Sequence, residues 1–91
     1  MYTVELEPEA RVQTLLLSYE ATRDFGNTLV ALEVDPWNFR RSPTEPVGSH
    51  YAHRTVPFAD GLGLVTFLIL EHASEVHVTR IVWLGREYTE R

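Results

Sequence analysis

Arginine is the residue type in this sequence best suited to bind a phosphate group. All eight basic residues are arginine, and the planar guanidinium can donate two parallel hydrogen bonds to phosphate oxygens. Arg54 alternates with Ala52, Val56 and Phe58 in a strand-like segment, so its side chain leaves one defined face of a sheet. It is either a phosphate ligand on that face or one half of a structural ion pair.

Two further arginines lie in or after the last strand-like segment. Arg86 precedes Tyr88, so that a cation and a phenol would share one surface, unless this segment is simply a solvated terminus. Arg80 shares its strand face with valines, where a guanidinium needs a partner. For Arg80 the sequence favours a structural role, in which the guanidinium reaches Glu5, Glu71 or the edge of the sheet.

The histidines do not predict a metal site. His50 and His53 are three residues apart in a predicted strand and therefore face opposite sides. No cysteine is present, and His72 and His77 have no dense set of ligands around them. His53 is either a proton-transfer and RNA-binding group or a strand histidine with one hydrogen bond.

A segment of irregular composition combines aromatic and basic side chains. Trp37 and Phe39 are followed by Arg40 and Arg41, and such a mixture can stack on bases and contact phosphates. The two arginines are therefore RNA-binding candidates. The alternative is that the aromatic rings cover one end of the core while the arginines are solvated.

Length and composition predict one soluble domain. The chain has 91 residues and a net charge of −5, and an acidic balance makes extensive nucleic-acid binding less favourable. Its acidic first residues do not resemble a signal peptide. The apolar run Leu62 to Leu70 is too short to span a bilayer. We expect a cytoplasmic protein.

The hydrophobic pattern predicts a strand followed by two helices. Tyr2 to Leu6 alternates like a strand, and a helix of about four turns begins at Pro8. The predicted buried face of this helix consists of four residues at helical spacing: Val12, Leu15, Leu16 and Tyr19. A second helix is expected from Asp24 to Val34, where Asp35-Pro36 ends it.

Three strands are expected in the second half: His50 to Phe58, Leu62 to Glu71 and Val76 to Leu84. The middle run is apolar enough to be central, and Pro57 belongs on an edge strand. The fold class is α+β with the order β-α-α-β-β-β, in which a helical hairpin packs on a mainly antiparallel sheet. We expect one domain over residues 1–91.

This order resembles the RelE/ParE superfamily of bacterial toxins over nearly the whole chain. The local features that carry the resemblance follow the family order: the opening strand, Pro8-Glu9-Ala10, Asp35-Pro36, Gly48 and Tyr51, Leu62-Gly63-Leu64-Val65, and the last strand running into Gly85-Arg86-Glu87.

The resemblance implies a growth inhibitor that a cognate antitoxin neutralises. RelE-like members cleave mRNA in the ribosome, and ParE-like members inhibit DNA gyrase. Transferred to this sequence, the catalytic residues are Arg54, Arg86 and Tyr88, with no cofactor. A second-strand lysine of the ribonucleases corresponds to Ala52, and a third-strand arginine corresponds to Gly63.

These departures leave two functions open. One is a toxin with weakened or altered mRNA cleavage, and the other is a non-catalytic module that binds a protein such as gyrase or an antitoxin. We expect weak or absent cleavage. An antitoxin is the expected partner, with Leu17 off the main apolar stripe of the first helix, and a homodimer is left open.

Overall fold

The computed structural model describes residues 1–38 and 51–85, and it has the predicted α+β order. The helices and strands are β1 (Thr3–Leu6), α1 (Pro8–Gln13), α2 (Tyr19–Val34), β2 (Tyr51–Phe58), β3 (Gly63–Leu70) and β4 (Glu75–Trp83). Three short 3₁₀ turns lie between them, at Thr14–Leu16, Pro36–Asn38 and Glu71–Ala73. No helix in the described ranges has the length and hydropathy needed to span a membrane.

The four strands form one sheet in the order β1-β4-β3-β2. β4 is antiparallel to β3, β3 is antiparallel to β2, and β1 runs parallel to β4. The apolar strand β3 is therefore internal, and Pro57 lies on the edge strand β2. Both predictions are confirmed.

One face of the sheet is covered by the helices and contains the core. Side chains of β3 alternate between fully and partly buried positions along the strand, and Val65, Phe67 and Ile69 are inaccessible to solvent. From α2, Phe25 packs on Phe58 with ring centroids 5.5 Å apart. This face accounts for most of the apolar burial that stabilises the fold.

The first helix is much shorter than the four turns expected. It ends at Gln13, a 3₁₀ turn follows, and Leu17 adopts an extended conformation. Ser18 then starts α2, because its hydroxyl oxygen accepts a hydrogen bond from the amide of Ala21 at 3.2 Å. Serine in this position satisfies an otherwise unpaired amide of the first helical turn. The second helix therefore begins five residues before the predicted Asp24.

Candidate functional site

The face of the sheet opposite the helices is the candidate functional surface, and we call it the open face. From the alternation of the strands, its members on β2, β3 and β4 are His53, Thr55 and Pro57 of β2, Leu64, Thr66, Leu68 and Leu70 of β3, and Glu75, His77, Arg80 and Val82 of β4. Its β3 side chains are half-buried, and Thr55 and Thr66 are joined by a hydrogen bond of 2.9 Å. The surface thus combines an apolar centre with hydroxyl, basic and acidic groups.

Arg80 reaches the open face because β4 contains a bulge. Thr66 pairs with Arg80 while the next residue, Phe67, pairs with Val78, so Thr79 is an extra residue without a partner of its own. The extra residue reverses the alternation. Val78 is buried and Arg80 is exposed, although simple alternation puts both on one face. The predicted apolar setting of Arg80 is therefore wrong.

Arg54 lies on the helix-covered face, with only 5% of its surface exposed. Its guanidinium carbon is 5.0 Å from the centre of the Trp37 ring, and Nη1 donates to the carbonyl oxygen of Trp37 at 3.3 Å. A cation over an indole ring is electrostatically favourable, more so away from water. Arg54 therefore anchors the segment that follows α2, whereas a phosphate on the open face would be on the other side of the sheet.

The predicted site residues are not all on one surface. His53 is exposed on the open face, next to Arg54 in sequence but on the opposite side of β2. Arg40, Arg41, Arg86 and Tyr88 lie outside the described residues. The roles of all six stay predictions.

Gly63 cannot be replaced by an arginine without rearrangement. It is buried opposite Phe58 on the helix-covered face, and a Cβ built on it would overlap the Phe58 ring. Gly63 is therefore part of the core in this chain.

His77 is a feature that its sequence context did not reveal. Its Nδ1 lies 3.0 Å from Oε2 of Glu7, and its Nε2 lies 2.9 Å from Oε1 of Glu75. The hydrogen bonds to Glu75 and then to Glu7 raise the pKa of His77 above the usual 6.5. The spacing of His77 and Glu75, two residues apart in a strand, could have indicated a shared face. Glu7 is 70 residues away in sequence.

A second polar cluster closes the end of the sheet near Trp37. Tyr2 donates its hydroxyl hydrogen to Glu71 at 2.6 Å, and the indole nitrogen of Trp37 donates to the same carboxylate oxygen at 2.7 Å. These two hydrogen bonds lower the pKa of Glu71, while the Glu71 carboxylate raises the pKa of Tyr2. The alternative interpretation of Trp37, as a ring that packs against the core, is consistent with its half-buried position.

The predicted buried stripe of the first helix is exposed. The fractions exposed are 64% for Val12, 81% for Leu15, 60% for Leu16 and 82% for Tyr19. We call these four residues the apolar strip. Leu17, which was expected to point away from the stripe, instead packs against the core. The break between α1 and α2 causes the exchange, because it turns Leu15 and Leu16 outward.

A cleft of about 220 Å³ lies between the start of α2 and the β2–β3 turn. Three carboxylates line it, from Glu20, Asp24 and Asp60, beside the ring of Trp83. Carboxylates repel phosphate groups. The cleft is therefore unfavourable for a phosphate ligand.

The fold has counterparts among solved toxin structures. The archaeal RelE–RelB complex from Pyrococcus horikoshii contains a chain with a TM-score of 0.74 and 17% identity, covering 93% of this chain and 97% of that one. Isolated RelE from E. coli has a TM-score of 0.67 and 11% identity, and the match covers 97% of this chain and 89% of that one. A chain of the E. coli RelBE complex has a TM-score of 0.65 and 14% identity, and the match covers 94% of this chain and 100% of that one. No family model and no curated protein sequence matches. From its first strand to its last, the chain has the fold of the RelE toxins.

Proposed function

We propose that this chain is the toxin component of a toxin–antitoxin pair and that a small antitoxin protein binds and neutralises it. The observation that carries this proposal is the fold shared with RelE over 93% of the chain, in a structure solved together with RelB. Two of the similar structures are such complexes. An antitoxin is therefore the first partner to test.

The apolar strip supports a protein partner. Four large side chains between residues 12 and 19 are each at least 60% exposed, and exposed apolar side chains grouped within a short segment favour a protein-binding site. An amphipathic helix that places its apolar face on such a strip is a common mode of recognition. The net charge of −5 favours a partner segment with basic residues around its apolar face.

The test requires a short protein encoded beside the gene for this chain, which is then co-expressed with it. Expression of the chain alone should arrest growth, and co-expression of the neighbour should relieve the arrest and give a complex that copurifies. Leu15→Asp or Tyr19→Asp should weaken that complex by about 10- to 100-fold, as for a central interface residue. Val30→Asp is the matched control, since Val30 is 58% exposed but lies further along α2.

The antitoxin proposal has a clear failing result. A chain that has no effect on growth and stays monomeric beside the neighbour-encoded protein would contradict it. A complex that Val30→Asp weakens as much as Leu15→Asp would instead move the contact away from the apolar strip.

Ribosome-dependent cleavage of mRNA is the activity expected of such a toxin, and we propose that it is weak or absent in this chain. Arg54 is 5% exposed and contacts Trp37, and Gly63 faces the ring of Phe58. On the open face, Glu7 and Glu75 surround His77, which disfavours an RNA backbone. The second candidate function, a non-catalytic module that inhibits a protein target such as DNA gyrase, draws on the same observations.

Cleavage of mRNA on programmed ribosomes separates the two functions. We expect the wild type to cleave little or no mRNA and still to inhibit growth. Strong cleavage that Arg54→Ala and Arg86→Ala each lower by about 10² to 10³, as for loss of one transition-state donor, would contradict this and support the predicted catalytic set. Arg80→Ala, measured in parallel, tests the exposed cation of the open face.

A further inference from the structure

His77 is held between two carboxylates in an arrangement that fits only its charged form. Both ring nitrogens lie within hydrogen-bonding distance of a carboxylate oxygen, 3.0 Å to Glu7 and 2.9 Å to Glu75. A neutral imidazole has one N–H, so its other nitrogen would present a lone pair to a carboxylate. The imidazolium donates at both positions, and each bond is then strengthened by charge.

The surroundings of His77 reinforce the charged form. In the sheet register, Glu5 of β1 is the direct neighbour of His77, and its charge together with that of Glu75 favours the imidazolium. The facing position on β3 is the uncharged Leu68. From α1, the cation Arg11 donates its Nε hydrogen to the carbonyl oxygen of Leu6 at 3.1 Å. Carboxylates thus dominate the charges around this ring.

The contact with Glu7 fixes the start of α1. Glu7 is the N-cap residue of that helix, and its side chain makes no capping hydrogen bond. The helix has six residues, which is too short to be stable without tertiary contacts. It is also attached by a backbone hydrogen bond of 2.9 Å from the amide of Glu7 to the carbonyl oxygen of Val78 in β4. Further attachments are the buried Ala10, the Arg11 hydrogen bond, and the side chain of Gln13, which accepts a hydrogen bond from the amide of Ile81.

We propose that His77 is a charge-dependent clamp that adds to the Glu7–Val78 backbone hydrogen bond in fastening the first turn of α1 to β4, and that this added contribution is lost when the imidazolium loses its proton. The proposal does not depend on the function proposed above. Because protonation is favoured in the folded chain, the clamp is complete below about pH 6.5, the ordinary histidine value. It is lost as pH rises through the higher value of the folded protein. The three side chains are 22% to 45% exposed, so salt should weaken the clamp.

The test compares wild type with His77→Gln and with a matched control, His53→Gln. His53 is exposed on the open face of β2. Amide exchange of residues 9–13 is measured by NMR from about pH 6 to 9, where carboxylates stay ionised. The exchange rate of each variant is divided by that of wild type at the same pH, so the intrinsic pH dependence of exchange cancels.

At pH 6 the amides of α1 should exchange severalfold faster in His77→Gln than in wild type, and the ratio should fall towards one at pH 9. A full effect would be about tenfold per pKa unit, and solvent exposure reduces it. The His53→Gln ratio should stay near one throughout, and the ring of His77 in wild type should titrate above 6.5. A His77 ring that titrates at or below 6.5, or a His77→Gln ratio that does not change with pH, would overturn the proposal.

Discussion

Arg54 and Arg80 lie in the same sheet, with β3 between their strands, yet their surroundings are opposite. Arg54 is 5% exposed beneath the helices, with its guanidinium over the ring of Trp37, whereas Arg80 is exposed on the open face. A buried charge needs fixed partners, while an exposed one is free to meet a ligand. The comparison shows that the face of a strand, more than the residue type, decides which arginine is available for binding.

The two faces also differ in what disrupts them. The helix-covered face is a close-packed core, in which each side chain fills a fixed space. The open face has half-buried leucines and a threonine pair at 2.9 Å. Substitutions on the first face should therefore act on folding, and those on the second face should act mainly on binding.

The largest difference in stability should be between substitutions of two adjacent residues of β3. Phe67 is fully buried and Leu68 lies on the open face. Phe67→Ala should lower the free energy of unfolding by about 3–5 kcal/mol, because it removes a buried ring and leaves a cavity. Leu68→Ala should cost clearly less. Urea denaturation of both variants measures the difference, and equal losses would mean that the two faces are equally buried in solution.

Replacing the two arginines should give a smaller difference in the free energy of unfolding, with the larger loss again on the helix-covered face. Arg54→Ala should lower the free energy of unfolding by about 2 kcal/mol, since it removes a charged hydrogen bond and a cation–π contact from a buried site. Arg80→Ala should stay within about 0.5 kcal/mol, as expected for an exposed residue. Arg54→Lys should recover only part of the loss, because lysine has no planar guanidinium to lie over Trp37.

Chemical denaturation of these three variants checks this ordering. A larger loss for Arg80→Ala than for Arg54→Ala would reverse it, and it would mean that Arg54 is accessible to a ligand after all.

The strand pattern was predictable because local physics determines it. The apolar run of β3, the turn at Asp60-Gly61 and the end of α2 at Asp35-Pro36 each depend on neighbours in sequence. The side of β2 from which Arg54 projects was also correct, since Val56 and Phe58 share its face. The sequence could not show that the helices cover this face.

The errors come from single-residue events and from distant contacts. One extra residue at Thr79 moves Arg80 to the other face, and no residue type announces such a bulge. Leu15 and Leu16 fit helical spacing, and only the capping serine at position 18 indicated that a new helix begins there. The pairing of His77 with Glu7 joins the two ends of the described chain, which periodicity cannot detect.

The smallest effect concerns the loss of stability at acid pH, and it compares Glu71 with Asp60, a carboxylate of the cleft beside α2. The hydrogen bonds from Tyr2 and Trp37 lower the pKa of Glu71 below 4.5. A group whose pKa is lower in the folded state stabilises the fold above its unfolded value, and this contribution is lost as pH falls through the folded value. Wild type should therefore lose some Tm between pH 5 and pH 3 through Glu71, and Glu71→Gln should make that slope shallower.

Tyr2→Phe should also make the acid slope shallower, because the Tyr2 hydroxyl is the first cause of the lowered pKa of Glu71. Asp60→Asn is the control: Asp60 is an exposed turn residue that accepts no side-chain hydrogen bond from residues 1–38 or 51–85. Thermal unfolding at several pH values gives the slope of Tm against pH for wild type and the three variants. If Asp60→Asn changes the slope as much as Glu71→Gln, the hydrogen bonds around Trp37 do not hold in solution, and Arg54 loses the ring against which it is fixed.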